Sequence, residues 1–135
     1  MATTAESDLN KDRISKDMSF FKVLVAEDNL INQKIVSKML ERMGVQFKVV
    51  NNGREAIESL RNEYFDLVLL DCYMSEMNGF ETALYIRASK ERFAKIPLLA
   101  YSAGLFATDS AEARKAGMDD YILKPVSYEA LKAKL

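Results

Sequence analysis

The sequence predicts a doubly wound α/β sandwich, and three observations carry that expectation. Short apolar runs of strand length alternate with segments of helical periodicity, at spacings of roughly 20 to 30 residues that suit βα units. The strands are nearly continuous in apolar residues and their connections to the following helices are short, which indicates a parallel sheet covered on both faces with right-handed crossovers. Several runs also end abruptly in chemistry, most clearly Phe65-Asp66-Leu67-Val68-Leu69-Leu70-Asp71, and in such a sheet ligands bind outside the carboxyl ends of the strands.

Residues 1–20 are polar and mixed in charge, with Asp8, Lys11, Asp12, Arg13, Lys16 and Asp17 close together, and read as a flexible or loosely docked tail ahead of a domain spanning 21–135. Phe21 to Ala26 forms the first strand and ends in Glu27-Asp28-Asn29. Leu30, Ile31, Ile35, Val36, Met39, Leu40 and Met43 recur at helical spacing until Gly44, a residue suited to a left-handed helix end. Val45 to Val50 is a second strand, and Asn51-Asn52-Gly53 turns into a helix with Ala56, Ile57 and Leu60 on one face.

The third strand, Asp66 to Leu70, delivers Asp71, with Asp66 at its exposed start. After Gly79 a helix runs from about Phe80 to Ser89, with Phe80, Ala83, Leu84 and Arg87 on a common face. Pro97 to Tyr101 is a fourth strand, proline being tolerated at its entrance, and it leads into Ser102-Ala103-Gly104. Asp109 and Glu112 have the spacing of a capping pair and begin a helix that Gly117 ends. Asp120 to Leu123 is a short fifth strand ending in Lys124-Pro125, and Ser127 caps a last helix with Glu129 near its start and Lys132 and Lys134 near its end.

Composition narrows the function classes. A chain of 135 residues suits one domain, and 19 basic against 20 acidic residues leave a net charge of -1 with no basic cluster, so nucleic acid is not an expected partner. The single cysteine, Cys72, cannot form an intrachain disulfide, and the chain opens on no signal-like segment, which points to a reducing, cytoplasmic setting. No apolar run approaches the roughly 20 residues needed to cross a bilayer, so membrane insertion is not expected. Histidine is absent altogether, which removes Ser-His and Cys-His nucleophile pairs and the usual zinc sites.

In a parallel sheet the carboxyl ends of all strands share one edge, so Glu27, Asp28, Asp71, Ser102 and Lys124 gather there despite their distance in sequence. Taken singly, each has an ordinary structural role: an acid or a serine can cap a loop, and a lysine can pair with an acid. Together, crowded carboxylates favour protonation unless a hard cation neutralises them, and Mg²⁺ binds through one or two carboxylates plus a phosphate group. A carboxylate can itself attack phosphorus and carry the phosphoryl group, and Asp71, on the central strand, is the expected nucleophile.

At these residues the chain resembles the receiver domain of two-component response regulators, particularly receivers attached to hybrid sensor histidine kinases. The resemblance rests on Val23-Leu24-Val25-Ala26-Glu27-Asp28-Asn29, on Asp71 with Met74-Ser75-Glu76-Met77-Asn78-Gly79, on Ala100-Tyr101-Ser102-Ala103, and on Gly117-Met118-Asp119-Asp120-Tyr121-Ile122-Leu123-Lys124-Pro125. It covers the chain from about residue 21 to its end and implies a five-stranded parallel sheet of order 2-1-3-4-5 with five helices, as in flavodoxin-like folds.

The resemblance also implies roles. Asp71 is then the phosphoacceptor, Asp28 a direct Mg²⁺ ligand supported through water by Glu27, and the backbone carbonyl of Tyr73 a third ligand. Lys124 contacts the phosphoryl group, Ser102 swings to hydrogen-bond it, and Tyr121 is the switch aromatic that turns inward as the hydroxyl moves. Gly79 serves the turn, and the Lys124-Pro125 bond is expected to be cis. The implied partners are a histidine kinase or a histidine phosphotransfer protein, with homodimerisation on activation as a further route. Catalysis is confined to the domain's own phosphorylation and dephosphorylation.

Some positions depart from the usual pattern. Ser75 stands where the family generally has proline, so the loop loses a φ restraint and is expected to be more mobile. Asn78 replaces a common aspartate, and Glu27 replaces the commoner aspartate at its position. Tyr73, bulky and two residues past Asp71, is expected to shield the acyl phosphate from water, while Gly104 leaves the opposite side open. Strand alternation sends Cys72 to the far side of the sheet from Asp71, as a packed thiol. Tyr101 reads as a core-edge aromatic.

Three other readings compete with this one. A receiver-like interaction scaffold that is never phosphorylated conflicts with the retention of Glu27, Asp28, Asp71, Ser102 and Lys124. A phosphohydrolase with an aspartate nucleophile wants a second acid two residues later, where Tyr73 stands. An FMN carrier of similar architecture wants a Ser/Thr/Gly-rich loop after the first strand.

Overall fold

The computed structural model describes residues 19–102 and 107–135. Along the chain run β1 (Lys22–Ala26), α1 (Leu30–Met43), β2 (Gln46–Val50), α2 (Gly53–Asn62), β3 (Leu67–Asp71), α3 (Gly79–Ala88), β4 (Leu98–Ser102), α4 (Ala107–Lys115), β5 (Asp120–Leu123) and α5 (Tyr128–Lys134). All strand pairings are parallel, as the sequence predicts, and the five strands form one sheet of order β2-β1-β3-β4-β5, as the resemblance implies. The expected tail lies almost wholly outside the described residues, as does Gly104.

Alternation along the strands divides the core into two layers. Leu24, Ala26, Val68, Leu70, Leu98 and Ala100 pack against α2, α3 and α4 through Ile57, Leu60, Ile86 and Ala113. Val23, Val25, Leu67, Leu69, Leu99 and Tyr101 face α1 and α5 through Val36, Leu40 and Leu131. Each fully buried Val, Leu or Ile among them contributes about 1.5–3 kcal/mol. The same parity aims Asp71, which continues the series of Leu67 and Leu69, toward the α1 and α5 side. Cys72 continues the opposite series and is fully buried in the apolar layer, as expected of a packed thiol.

Helix starts place the loops that carry the site. Asn29, Asn52 and Asn78 cap α1, α2 and α3 by accepting hydrogen bonds from the amides of Asn32, Glu55 and Glu81, and Asn78 forms a full capping box with Glu81. Ser127 caps α5 in the same way, with Glu129 and the lysines Lys132 and Lys134 where the helix dipole favours them. Gly44 ends α1 at φ 79, the left-handed geometry expected there.

Several boundaries and faces differ from the sequence expectation. β3 starts one residue later than expected and includes Asp71, while Asp66 stays outside and accepts a hydrogen bond from the Lys22 N–H at 2.7 Å. Likewise Phe21, Val45 and Pro97 precede β1, β2 and β4, and β4 extends to Ser102. α4 begins at Ala107, so Asp109 lies inside the helix rather than at its cap. In α3 the buried face is Gly79, Thr82, Ala83 and Ile86, whereas Leu84 is 54% exposed, because this helix is pressed against both the sheet and α2. In α1 only Val36 and Leu40 are buried, and Leu30, Ile31 and Ile35 are exposed. The helix starts beyond the carboxyl end of β1, so its first turn overhangs the sheet and finds no layer to pack on. Among the described residues no helix is long and apolar enough to cross a membrane.

Candidate functional site

The carboxyl ends of β1, β3 and β5 bring acids and one base together. Glu27 extends the β1 ladder by one step, its amide donating to Val50 O at 3.0 Å, and its side chain is fully buried. Asp71 ends β3 with its side chain 4% exposed, and Asp28 stands in the open beside both. Ligand oxygens from Glu27, Asp28 and Asp71 all lie within 4.8 Å of one another.

Lys124, the residue after β5, is the cation of this group. Its Nζ lies 2.8 Å from Glu27 Oε1 and 3.0 Å from Asp71 Oδ2, so one ammonium serves two buried carboxylates. The contact to Glu27 is a charge pairing out of line for a hydrogen bond, which leaves Oε1 without a donor aligned on it. Glu27 Oε2 accepts from the Asn29 amide at 2.9 Å, Asp71 Oδ1 from the Tyr73 amide at 3.2 Å, and Asp28 Oδ2 from the Ser75 amide at 3.0 Å. The Lys124 ammonium also rests 4.5 Å from the ring centroid of Tyr101, whose face adds favourable potential.

The electrostatics follow from that stoichiometry. Burial, and then repulsion from Glu27, push the Asp71 carboxyl up to about 6, against the pull of its hydrogen bond to Lys124. Burial works to lower Lys124, but its contacts with Glu27 and Asp71 outweigh it and hold the ammonium above its ordinary value. Burial and the same two acids raise Tyr101, which stays a neutral phenol. The site holds more negative charge than Lys124 neutralises, and all of its free donors are hard oxygens. Those are the properties Mg²⁺ selects, so the residues present fit that ion.

The remaining predicted residues take the following places. Ser102 is the buried last residue of β4, paired with Leu123, and its carbonyl accepts from the Lys124 amide at 2.9 Å. Tyr121 lies on β5 opposite Ala100 and is 42% exposed. Tyr73 is 57% exposed and meets Phe80 edge-on, with ring centroids 5.7 Å apart. The Lys124-Pro125 bond is cis. Gly79 is required for close approach rather than for a left-handed turn: a Cβ there would stand 2.4 Å from Asp71 O. Its amide donates to Cys72 O at 3.1 Å, fastening α3 to the end of β3.

Two contributors escape the sequence expectation. Tyr101 keeps its place in the core layer and in addition carries the Lys124 ammonium on its ring face, and its register opposite Asp71 is the signal that could have revealed this. The Ser75 amide on Asp28 has no such signal, because a backbone donor leaves no mark in residue type.

A parallel sheet whose carboxyl end gathers three acids and one lysine is the arrangement against which the chain's relatives can be compared. The family model described as response regulator receiver domain matches residues 23–135, and the chain belongs to that family. It is 33% identical over 135 residues to the peroxide stress-activated histidine kinase mak1 of Schizosaccharomyces pombe, an alignment covering 96% of this chain and 8% of that protein. The curated kinases it resembles are thus many times longer than this chain. The receiver domain of sensor histidine kinase PA1611 from Pseudomonas aeruginosa, solved with magnesium coordinated in its active-site cleft, superposes with a TM-score of 0.79 at 29% identity, covering 85% of this chain and 93% of that one. The co-crystal structure of the Saccharomyces cerevisiae phosphotransfer protein Ypd1 with the receiver domain of Ssk1 matches with a TM-score of 0.78 at 30% identity, covering 88% of each chain. The chain is therefore a receiver domain, a module of two-component signalling.

Proposed function

We propose that this domain accepts a phosphoryl group onto Asp71 from the phosphohistidine of a histidine kinase or histidine phosphotransfer protein, and that phosphorylation changes its surface. The observation that carries the reading is the Asp71 carboxylate, held at the end of β3 between the Lys124 ammonium and the oxygens of Glu27 and Asp28. An Asp71 oxygen attacks phosphorus, the P–N bond to the donor imidazole breaks, and its electron pair stays with the departing nitrogen. Asp28, Asp71 and the Tyr73 carbonyl would hold Mg²⁺, with Glu27 behind them, and the ion would neutralise charge on the transferring oxygens. Lys124, whose ammonium lies 3.0 Å from the Asp71 carboxylate, would take a phosphoryl oxygen and stabilise its charge. Ser102 would then hydrogen-bond the product and Tyr121 would leave its exposed position, altering the face around β5.

Such a donor must bring its histidine to this edge of the sheet. The exposed Leu30, Ile31 and Ile35 on the first turns of α1 lie close in sequence to Asp28 and offer apolar ground for that partner. A cytoplasmic setting agrees with the lone buried thiol of Cys72.

Intact-mass spectrometry after incubation with acetyl phosphate tests the reading. One phosphoryl adduct is expected with Mg²⁺, and none without Mg²⁺ or on Asp71→Asn. An Ile31→Asp variant should still label from acetyl phosphate while losing transfer from a phosphorylated protein donor. An unlabelled parent that also ignores fluoroberyllate would leave an unphosphorylated interaction scaffold as the better account.

A further inference from the structure

The loop between β3 and α3 is fastened to the body of the domain at several points that do not involve Asp28. Asn52 Nδ2 donates to Glu76 Oε2 at 3.0 Å, the Gly53 amide donates to Met77 O at 3.1 Å, and the Gly79 amide donates to Cys72 O at 3.1 Å. Glu76 is held at φ 65, a left-handed conformation unusual for a residue with a side chain, so the bend beside Ser75 is imposed by these anchors rather than by local preference. The loop therefore presents the Ser75 N–H as a fixed donor. Asp28 is the opposite case: it is exposed, and among the described residues the one donor that reaches its carboxylate is that N–H, 3.0 Å from Oδ2.

From this pairing of a fixed donor with a free carboxylate, we propose that the Ser75 backbone amide is a positioning donor that orients Asp28 and thereby sets the affinity of the site for divalent cations. The inference rests on the reading of Asp28 as a cation ligand. A hydrogen bond to Oδ2 restrains the carboxylate's rotation while leaving its other oxygen whole for a metal, as outer-shell partners of ligating carboxylates do. The device depends on residue 75 not being proline, because proline has no N–H to give. A loop lacking that proline thus gains a hydrogen-bonded tether, and the tether ends on the site itself.

Titration of the metal-free domain with Mg²⁺, followed by calorimetry and by amide NMR, tests the proposal without recourse to phosphorylation. Ser75→Pro, which removes the N–H, should weaken Mg²⁺ binding by about tenfold or more, while Ser75→Ala, which keeps it, should restore the parental affinity. Parental affinity in a folded Ser75→Pro, or an equal loss in Ser75→Ala, would overturn the proposal. Should the proline variant fail to fold, hydrogen exchange decides. The Ser75 amide should exchange more slowly in the metal-free parent than in Asp28→Ala, and equal rates would remove the tether. A parent and an Asp28→Asn variant that bind Mg²⁺ equally would overturn the ligand reading of Asp28 itself, a result distinct from any change at residue 75.

Discussion

Two ion clusters at opposite ends of the sheet have inverted stoichiometry. At the amino end one carboxylate, Glu63, receives two ammoniums, Lys22 at 2.7 Å and Lys48 at 2.6 Å. At the carboxyl end one ammonium, Lys124, is shared by Glu27 and Asp71, with Asp28 close by. The lysine hydrogen bonds hold Glu63 below the ordinary carboxylate range, whereas burial and Glu27 push Asp71 above it. Guanidinium groups repeat the amino-end pattern: Arg92 donates to the carbonyls of Leu60 and Glu63, and Arg87 to those of Ala94, Ile96 and Gly117 as well as to Asp119. One end of the molecule is satisfied by its own residues. The other is left short of positive charge, and that shortage is what a cation can relieve.

The largest effect should come from breaking the satisfied end. Arg87→Ala removes the donors on three carbonyls and frees Asp119, whose Oδ2 also accepts from the Leu98 amide at the start of β4. Leaving several half-buried acceptors unpaired costs about 1–3 kcal/mol each where water cannot replace the donor, and a total loss of about 4 kcal/mol is expected. Urea unfolding would measure it. Labelling of Asp71 by acetyl phosphate should survive in the fraction that is folded, since Arg87 touches none of the site. A variant as stable as the parent would show that the amino end is not where this fold is secured.

The second effect runs in the opposite direction. A carboxylate whose folded pKa is raised binds more protons folded than unfolded, so its contribution favours folding at low pH and is lost as pH climbs from the ordinary value of 3.8 through about 6. Asp71→Asn removes that loss. In chelator, the variant should exceed the parent in stability by up to about 3 kcal/mol at pH 8, and the gap should close near pH 4. Adding Mg²⁺ should restore the parent and leave the variant little changed. Equal stability of the two proteins at pH 8 would mean that the carboxyl end is not charge-frustrated.

Much of this contrast was legible in the residues. The acids, the serine and the lysine stand at strand ends, and period-two alternation was enough to separate Asp71 from Cys72. What periodicity could not register was the outer boundary of each layer: Leu30, Ile31 and Ile35 keep helical spacing with Val36 and Leu40, yet they overhang the sheet and stay exposed. Nor could it register donors and acceptors of the backbone. The carbonyls gathered by Arg87 and the amide that Ser75 gives to Asp28 depend on where loops lie, and any residue type would carry them except proline in the place of the donor.

The smallest effect separates capping from charge. Asn52 and Asn78 do the same local work, each accepting from the amide three residues on, at 2.9 Å in both cases. Aspartate caps helices as well as asparagine does, so capping alone predicts no change for either Asn→Asp substitution. Their other contacts differ. Asn78→Asp keeps its box with Glu81, in which the backbone amide of residue 78 is the donor, and should alter stability by less than about 0.5 kcal/mol. Asn52→Asp replaces the Nδ2 donor on Glu76 with a carboxylate 3.0 Å from another carboxylate, at a position 6% exposed. That exchange should cost about 1–3 kcal/mol and should loosen the loop that carries Ser75. Thermal unfolding of the two variants side by side would measure it. Equal behaviour would reduce the role of Asn52 to its cap, and a loss confined to Asn52→Asp would show that its Nδ2 donor on Glu76, beyond the cap, secures the loop that carries Ser75.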